Sequence, residues 1–126
     1  MSNNYENPFS ALKGLFHEPN RLAIMSALCS TSEGLSFREL KERCALTDGN
    51  LSRHLKVLEE GGLVVIRKRF VGAKPLTTVL MTDTGRERFI DYLRSLEEVL
   101  KTAAESLQTR EEGPELPLAI LKAFQG

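Results

Sequence analysis

Apolar residues repeat at helical spacing in the middle of this chain. Leu51, Leu55 and Leu58 follow one another at steps of four and three, which places them on one face of a helix. Thr47 stands where an N-cap is expected, and Gly61-Gly62 is a stop signal because glycine tolerates the left-handed conformation that ends helices. The spacing therefore predicts a helix within 47–60. Its other face carries Gly49, Ser52, Arg53 and Lys56, with Asn50 at the edge. Such a face suits the DNA major groove, where Arg and Asn read base edges while Lys and Ser hold phosphates. An ordinary amphipathic helix with a solvated outer face would show the same residues, so the neighbouring elements must decide.

Upstream, Asn7-Pro8 predicts a short helix through Phe16, with Phe9, Leu12 and Phe16 on one side. Glu18-Pro19 opens a second helix ending near Ser30, with Leu22, Met25, Leu28 and Cys29 expected to face the core. A loop, 30–34, follows. Ser36-Phe37-Arg38-Glu39 is a capping box, in which the Ser hydroxyl and the Glu carboxylate each satisfy an amide at the start of a helix. That helix ends near Arg43, with Phe37, Leu40 and Cys44 turned inward. Only Cys44 to Leu46 separate it from the Thr47 helix, an arrangement that predicts a helix-turn-helix.

Downstream, the pattern changes to β-branched runs. Leu63-Val64-Val65-Ile66, continued by Arg67 to Phe70, predicts a strand; 71–75 hold turn residues, and Thr77 to Met81 return as a second strand. A hairpin with a basic tip directly after a helix-turn-helix is expected to be a wing that touches the DNA backbone or minor groove. The same cations could instead solubilise an edge strand. Thr82 then caps a long helix in which Phe89, Leu93, Leu96, Leu100, Ala103 and Leu107 form a heptad seam. From 82 to 107 it would run about 39 Å, more than so small a domain needs, so its distal half is expected to pair with the same helix of a second copy. Residues 110–113 and Pro114 break it, and the apolar segment 116–124 is expected to dock, on its own domain or on the partner.

The fold class expected is thus mainly α with a β-hairpin wing: a winged helix-turn-helix plus a long C-terminal dimerisation helix. The divisions are an N-terminal arm at 1–16, the DNA-binding domain at 17–81, the dimerisation helix at 82–110 and an apolar tail at 111–126.

Charge first argues against DNA, then for it. The 126 residues hold 17 basic and 17 acidic side chains, net zero. Between 36 and 75, however, nine basic residues face five acids, whereas from 76 onward six face nine. The local field over a contact face, rather than the total, governs attraction to phosphates. A hydrophobic fraction of 41% suffices for a core, and no apolar run is long enough to span a membrane. The first fourteen residues lack the character of a secretory signal, so the expected compartment is the cytoplasm.

Catalytic chemistry is not visible. There is no phosphate-binding glycine loop, GxSxG elbow or HExxH helix, and His17 and His54 are far apart in sequence. His54, at the flank of the leucine face, reads as a packed, hydrogen-bonded histidine. Cys29 and Cys44 are too few for a disulfide framework; core packing is expected for Cys29, and nothing near Cys44 completes a metal site. A redox role for either thiol stays open. No enzyme, cofactor or metal is expected.

The run TDGNLSRHLKVLEEGGLVVIRKRFVGAKPLTTVLMTDTGRERF resembles the small winged-helix DNA-binding regulators related to the MarR and ArsR groups. It is especially similar to their stand-alone branch with the pattern LTDGNLSxHLxxLExxGLVxxxKxFxGxxPxTxxxLTxxGR, matched here from Leu46 to Arg86 with Met81 in place of the usual Leu. PNRLAIMSAL, residues 19–28, resembles the family's first winged-helix helix, so the likeness covers about Phe16 to Leu107. The resemblance implies a dimeric, cytoplasmic transcriptional regulator that binds double-stranded DNA. By position, Thr47, Asp48, Gly49, Asn50, Ser52, Arg53 and Lys56 would belong to the recognition helix, and Arg67, Lys68, Arg69, Lys74, Thr77 and Thr78 to the wing. The paired cysteines of metal-sensing ArsR proteins are absent. An unknown small-molecule effector is compatible with this reading, as is a rival in which the winged helix serves as a protein interaction module.

Overall fold

Four helices and a three-stranded antiparallel sheet make up the described residues, 14–108, of this computed structural model. In chain order they are α1 (Pro19–Leu28), β1 (Leu35–Ser36), α2 (Phe37–Cys44), α3 (Asp48–Glu60), β2 (Val64–Val71), β3 (Lys74–Met81) and α4 (Asp83–Gln108). The sheet order is β1-β3-β2. This is a winged helix extended by a long C-terminal helix. The described residues fall into two compact units that divide within α4, between Asp91 and Tyr92.

Local chemistry sets most boundaries. Glu18 accepts from the Arg21 amide at 2.8 Å and Pro19 takes the first helical position, starting α1. At α2 both arms of the capping box are present: Glu39 N donates to Ser36 Oγ at 3.0 Å, and Ser36 N to the Glu39 carboxylate at 2.9 Å. Thr47 Oγ1 accepts from Asn50 N at 3.2 Å, capping α3. At its other end Gly62 has φ +76, while Gly62 N and Leu63 N donate to the carbonyls of Glu59 and Leu58. These two bonds are a Schellman stop, and glycine supplies its left-handed residue without steric cost.

The turn between α2 and α3 uses the same device with a different residue. Ala45, at φ 54, holds the left-handed position, and Ala45 N and Leu46 N donate to Glu42 and Lys41. Alanine carries a Cβ there, so this turn is strained by about 1–2 kcal/mol.

The core gathers Ile24, Met25 and Leu28 of α1, Leu40 of α2, Leu51, Leu55 and Leu58 of α3, then Leu63, Val64 and Val79 of the hairpin. Phe16 and Phe89 close it with an edge-to-face contact, ring centroids 5.3 Å apart. Thr82 Oγ1 donates to Gly62 O at 2.7 Å and accepts from Gly85 N at 2.8 Å, so one hydroxyl caps α4 and ties it to the end of α3. Backbones meet closely there: a Cβ on Gly85 would lie 2.1 Å from Leu63 O.

Four details differ from expectation. The 30–34 loop leads into a strand, β1, whose Leu35 and Ser36 pair with Val79 and Thr78; two residues are too short a run to show period-two patterning. Leu15 and Phe16 lie in a turn rather than a helix, and the rest of that predicted helix falls outside the described residues, as does the apolar segment 116–124. Cys29 is exposed rather than core, because α1 ends at Leu28 and the next residue turns outward; Leu22 is only half-buried. Cys44 is likewise only half-buried. Partial burial raises both thiols above their ordinary range, against the opposing influence of Arg86 on Cys29 and Arg43 on Cys44, so neither is an activated thiolate.

Candidate nucleic-acid interface

Helix α3 is two-faced. Leu51, His54, Leu55 and Leu58 are buried, while Asp48, Gly49, Asn50, Ser52, Arg53 and Lys56 are exposed. Arg53 and Lys56 have no carboxylate within ion-pair range among the described residues. The acids Glu59 and Glu60 sit at the far, C-terminal turn. Asn50 and Arg53 thus occupy the first two turns, the end of the helix that meets base edges in a helix-turn-helix, and Lys56 opens the third.

Two of the expected contact residues have other occupations. Thr47 spends its hydroxyl oxygen on the cap. Asp48 is held at 2.9 Å by Lys41 of α2, so the carboxylate at the start of α3 carries its own counterion. No spacing rule in the sequence predicts that pair.

The inner face of α3 is fixed by a polar cluster. His54 is buried, and Arg21 of α1 donates from its guanidinium to His54 Nδ1 at 3.3 Å. Arginine only donates, so Nδ1 accepts, and on the other side of the ring Asn20 Nδ2 lies 3.5 Å from Nε2. Burial pushes the imidazole below its ordinary value, reinforced by Arg53 and Arg21 and opposed by Glu18. Glu18, 3.9 Å from Nδ1, is itself held below the carboxylate range: burial raises it, but the Arg21 amide, His54, the Asn20 amide and the Arg21 charge together outweigh that. His54 is the packed, hydrogen-bonded residue expected, and its partners come from α1, a placement that sequence distance hides.

In the hairpin, cross-strand register sorts the basic residues by face. Arg67 stands opposite Thr78, Lys68 opposite Thr77, Arg69 opposite Leu76, Phe70 opposite Pro75 and Val71 opposite Lys74. Alternation puts Arg67, Arg69, Lys74 and Thr78 on one face, and Lys68, Thr77, Phe70 and Pro75 on the other. The four cations are exposed; Thr77 and Thr78 are half-buried and do not share a face. Among the described residues, no group of histidine, cysteine and carboxylate side chains could hold a metal ion, and no helix is long and apolar enough to cross a membrane.

On the heptad seam of α4 expected to serve dimerisation, Phe89 is buried, Leu96 and Leu107 are half-buried, and Leu93, Leu100 and Ala103 are exposed. Tyr92 and Ala104 are also buried.

Three helices, a hairpin and a basic outer face on the third helix define a winged helix-turn-helix protein. A family model described as a winged helix DNA-binding domain matches residues 20–100, and the chain belongs to that family. An uncharacterised protein of Methanocaldococcus jannaschii is 36% identical over 87 residues, covering 69% of this chain and 94% of the relative. The solved structure of a transcriptional regulator homologue from Pyrococcus horikoshii OT3 is 30% identical with a TM-score of 0.69, over 81% of this chain and 98% of that one. The M. tuberculosis transcriptional regulator MOSR, solved in complex with DNA, shares the fold at TM-score 0.59 and 18% identity, over 94% of this chain and 80% of that one. Family and fold are those of winged helix DNA-binding transcriptional regulators.

Proposed function

We propose that this protein is a cytoplasmic, homodimeric regulator that binds an inverted-repeat DNA site, with α3 in the major groove and the hairpin on the adjoining backbone and minor groove. The observation that carries this reading is the outer face of α3, where Asn50, Ser52, Arg53 and Lys56 are all exposed and the two cations lack carboxylate partners among the described residues. Residues 17–81 act as the DNA-binding module, with Arg67, Lys68, Arg69 and Lys74 holding phosphates. Residues 82–110 act as the dimerisation helix through Leu93, Leu96, Leu100, Ala103 and Leu107. A two-fold axis would set the recognition helices about 34 Å apart, one helical turn of DNA.

Binding of the purified protein to random duplex DNA, followed by anisotropy across salt concentrations, tests this directly. Log affinity should fall steeply with log salt, by several phosphates' worth of slope. Once a site is selected, Arg53→Ala should cost about 1–3 kcal/mol on it and relax base preference, whereas Lys74→Ala should weaken all sequences alike. Absence of binding at low salt would overturn the reading in favour of a protein interaction module.

A further inference from the structure

Phe70 lies near the end of the hairpin and is 73% exposed, the most exposed large hydrophobic side chain among the described residues. Its cross-strand partner is Pro75, so ring and pyrrolidine share one face of the hairpin. Along that face the rungs run from Val64 with Met81, through Ile66 with Val79 and Lys68 with Thr77, to Phe70 with Pro75. Val64 and Val79 are buried, so the inner rungs belong to the core, Thr77 is half-buried at its margin, and the outermost rung, Phe70 with Pro75, is exposed. Packing among the described residues therefore does not account for the ring. The charges around it are all positive: Lys68 precedes it on the same face, Arg67, Arg69 and Lys74 lie on the other, and residues 61–82 contain no acid.

An apolar tip ringed by cations fits a partner that is anionic at its rim and apolar within. Duplex DNA has that composition, with phosphates along the edge of the minor groove and deoxyribose walls inside it. Building on the reading of the hairpin as a DNA-contacting wing, we propose that Phe70, backed by Pro75, is an apolar wedge that seats against the minor-groove wall beside the recognition helix. The cations draw the tip to the groove, and the ring gives up its water there. Apolar side chains enter the minor groove in other DNA-binding folds, where they wedge between base steps.

Charge and apolar contact have different salt signatures, which makes the assignment testable with the full chain. Each phosphate contact contributes close to one unit of slope in log affinity against log salt, whereas burial of a ring contributes affinity with no slope. Wild type, Phe70→Ala and Arg69→Ala would be titrated into a fluorescein-labelled mixed-sequence duplex at five salt concentrations, with and without a netropsin-type ligand filling the minor groove. Thermal midpoints should match, since the ring is exposed.

Phe70→Ala should bind about tenfold more weakly at every salt with an unchanged slope, while Arg69→Ala flattens the slope by about one. The groove-filling ligand should weaken wild type and abolish its advantage over Phe70→Ala. Equal affinity of wild type and Phe70→Ala would overturn the wedge. So would an unchanged difference with the groove filled, or a smaller mass for Phe70→Ala in sedimentation, which would assign the ring to a contact between copies. Failure of the wild type itself to bind DNA would overturn the proposed function instead, so the two failures are distinct.

Discussion

Helix α3 and the distal half of α4 are written in the same hydrophobic code and meet different fates. In α3 the leucines at 51, 55 and 58 are buried, packed against α1 and β2 within the same chain. In α4 the seam repeats the spacing, but Leu93 and Leu100 keep 40% and 43% of their surface exposed. Both helices are long enough to present a continuous stripe, and both have charged outer positions. A periodic stripe specifies that a face can be covered; it does not specify what covers it. The core of α3 is supplied in cis; under the proposed function, the exposed seam of α4 is completed by a second copy.

The sharpest way to break this contrast is to truncate one leucine from each stripe. Leu55→Ala should lower unfolding free energy by about 2–5 kcal/mol in urea titrations, since the cavity lies in a closed core. Leu100→Ala should change a monomer's stability by less than about 1 kcal/mol, the small effect usual for an exposed position. Equal losses from both, independent of protein concentration, would mean that the α4 stripe is internal.

A charged pair on α4 sharpens the assignment further. Leu93→Glu with Leu100→Glu should convert a dimer to a monomer in sedimentation equilibrium while leaving the far-ultraviolet circular dichroism of the monomer helical. Unchanged mass would remove these residues from the interface.

The polar cluster beneath α3 adds a pH dependence near neutrality. Burial holds folded His54 below 6.5, its ordinary value, so as pH falls the unfolded chain takes up the proton first. Stability should therefore be level above about pH 6.5 and decline below it, until the folded imidazole also protonates. The groups facing the ring set the consequence: a protonated Nδ1 can no longer accept from Arg21, and Glu18 offsets the added charge only in part. Thermal midpoints measured from pH 8 to 5 should show the decline in wild type and lose it in His54→Gln. Glu18 and Glu39 are depressed too, Glu39 chiefly by the Ser36 amide and hydroxyl, and their losses belong to the carboxylate range further down.

The smallest effect expected is a gain. Ala45→Gly should stabilise the α2–α3 turn by about 0.5–1 kcal/mol, the relief of left-handed strain less the added freedom of the unfolded chain. Chemical denaturation would resolve it; a loss would mean that the Ala45 methyl packs usefully in the turn.

How much was legible in advance follows from the range of each interaction. Thr47, the Ser36–Glu39 box and Gly62 act within a few residues, and each does in the structure what its sequence context predicts. The turn at Ala45 was visible as a short connection but not as a left-handed one, because alanine is no signal for positive φ. Strand β1 was hidden because its existence depends on Val79 and Thr78, more than forty residues away. In the candidate interface, the exposed face of α3 could be drawn from the helical wheel, since a three-leucine stripe defines its opposite side. The division of wing cations between two faces needed the register of β2 with β3, and the exposure of Phe70 needed to show where the core stops.

By itself, then, the amino-acid order determined the helices, their caps, the hairpin and the polarised charge, because these depend on side chains and backbone groups a turn or a strand apart. Tertiary structure alone decided that Arg21 and Glu18 reach His54, that Lys41 neutralises Asp48, and that Thr82 fastens α4 to the end of α3. Those contacts join elements brought together by burial of a shared core. Burial is non-directional, so no local pattern of residues records which neighbour it will deliver.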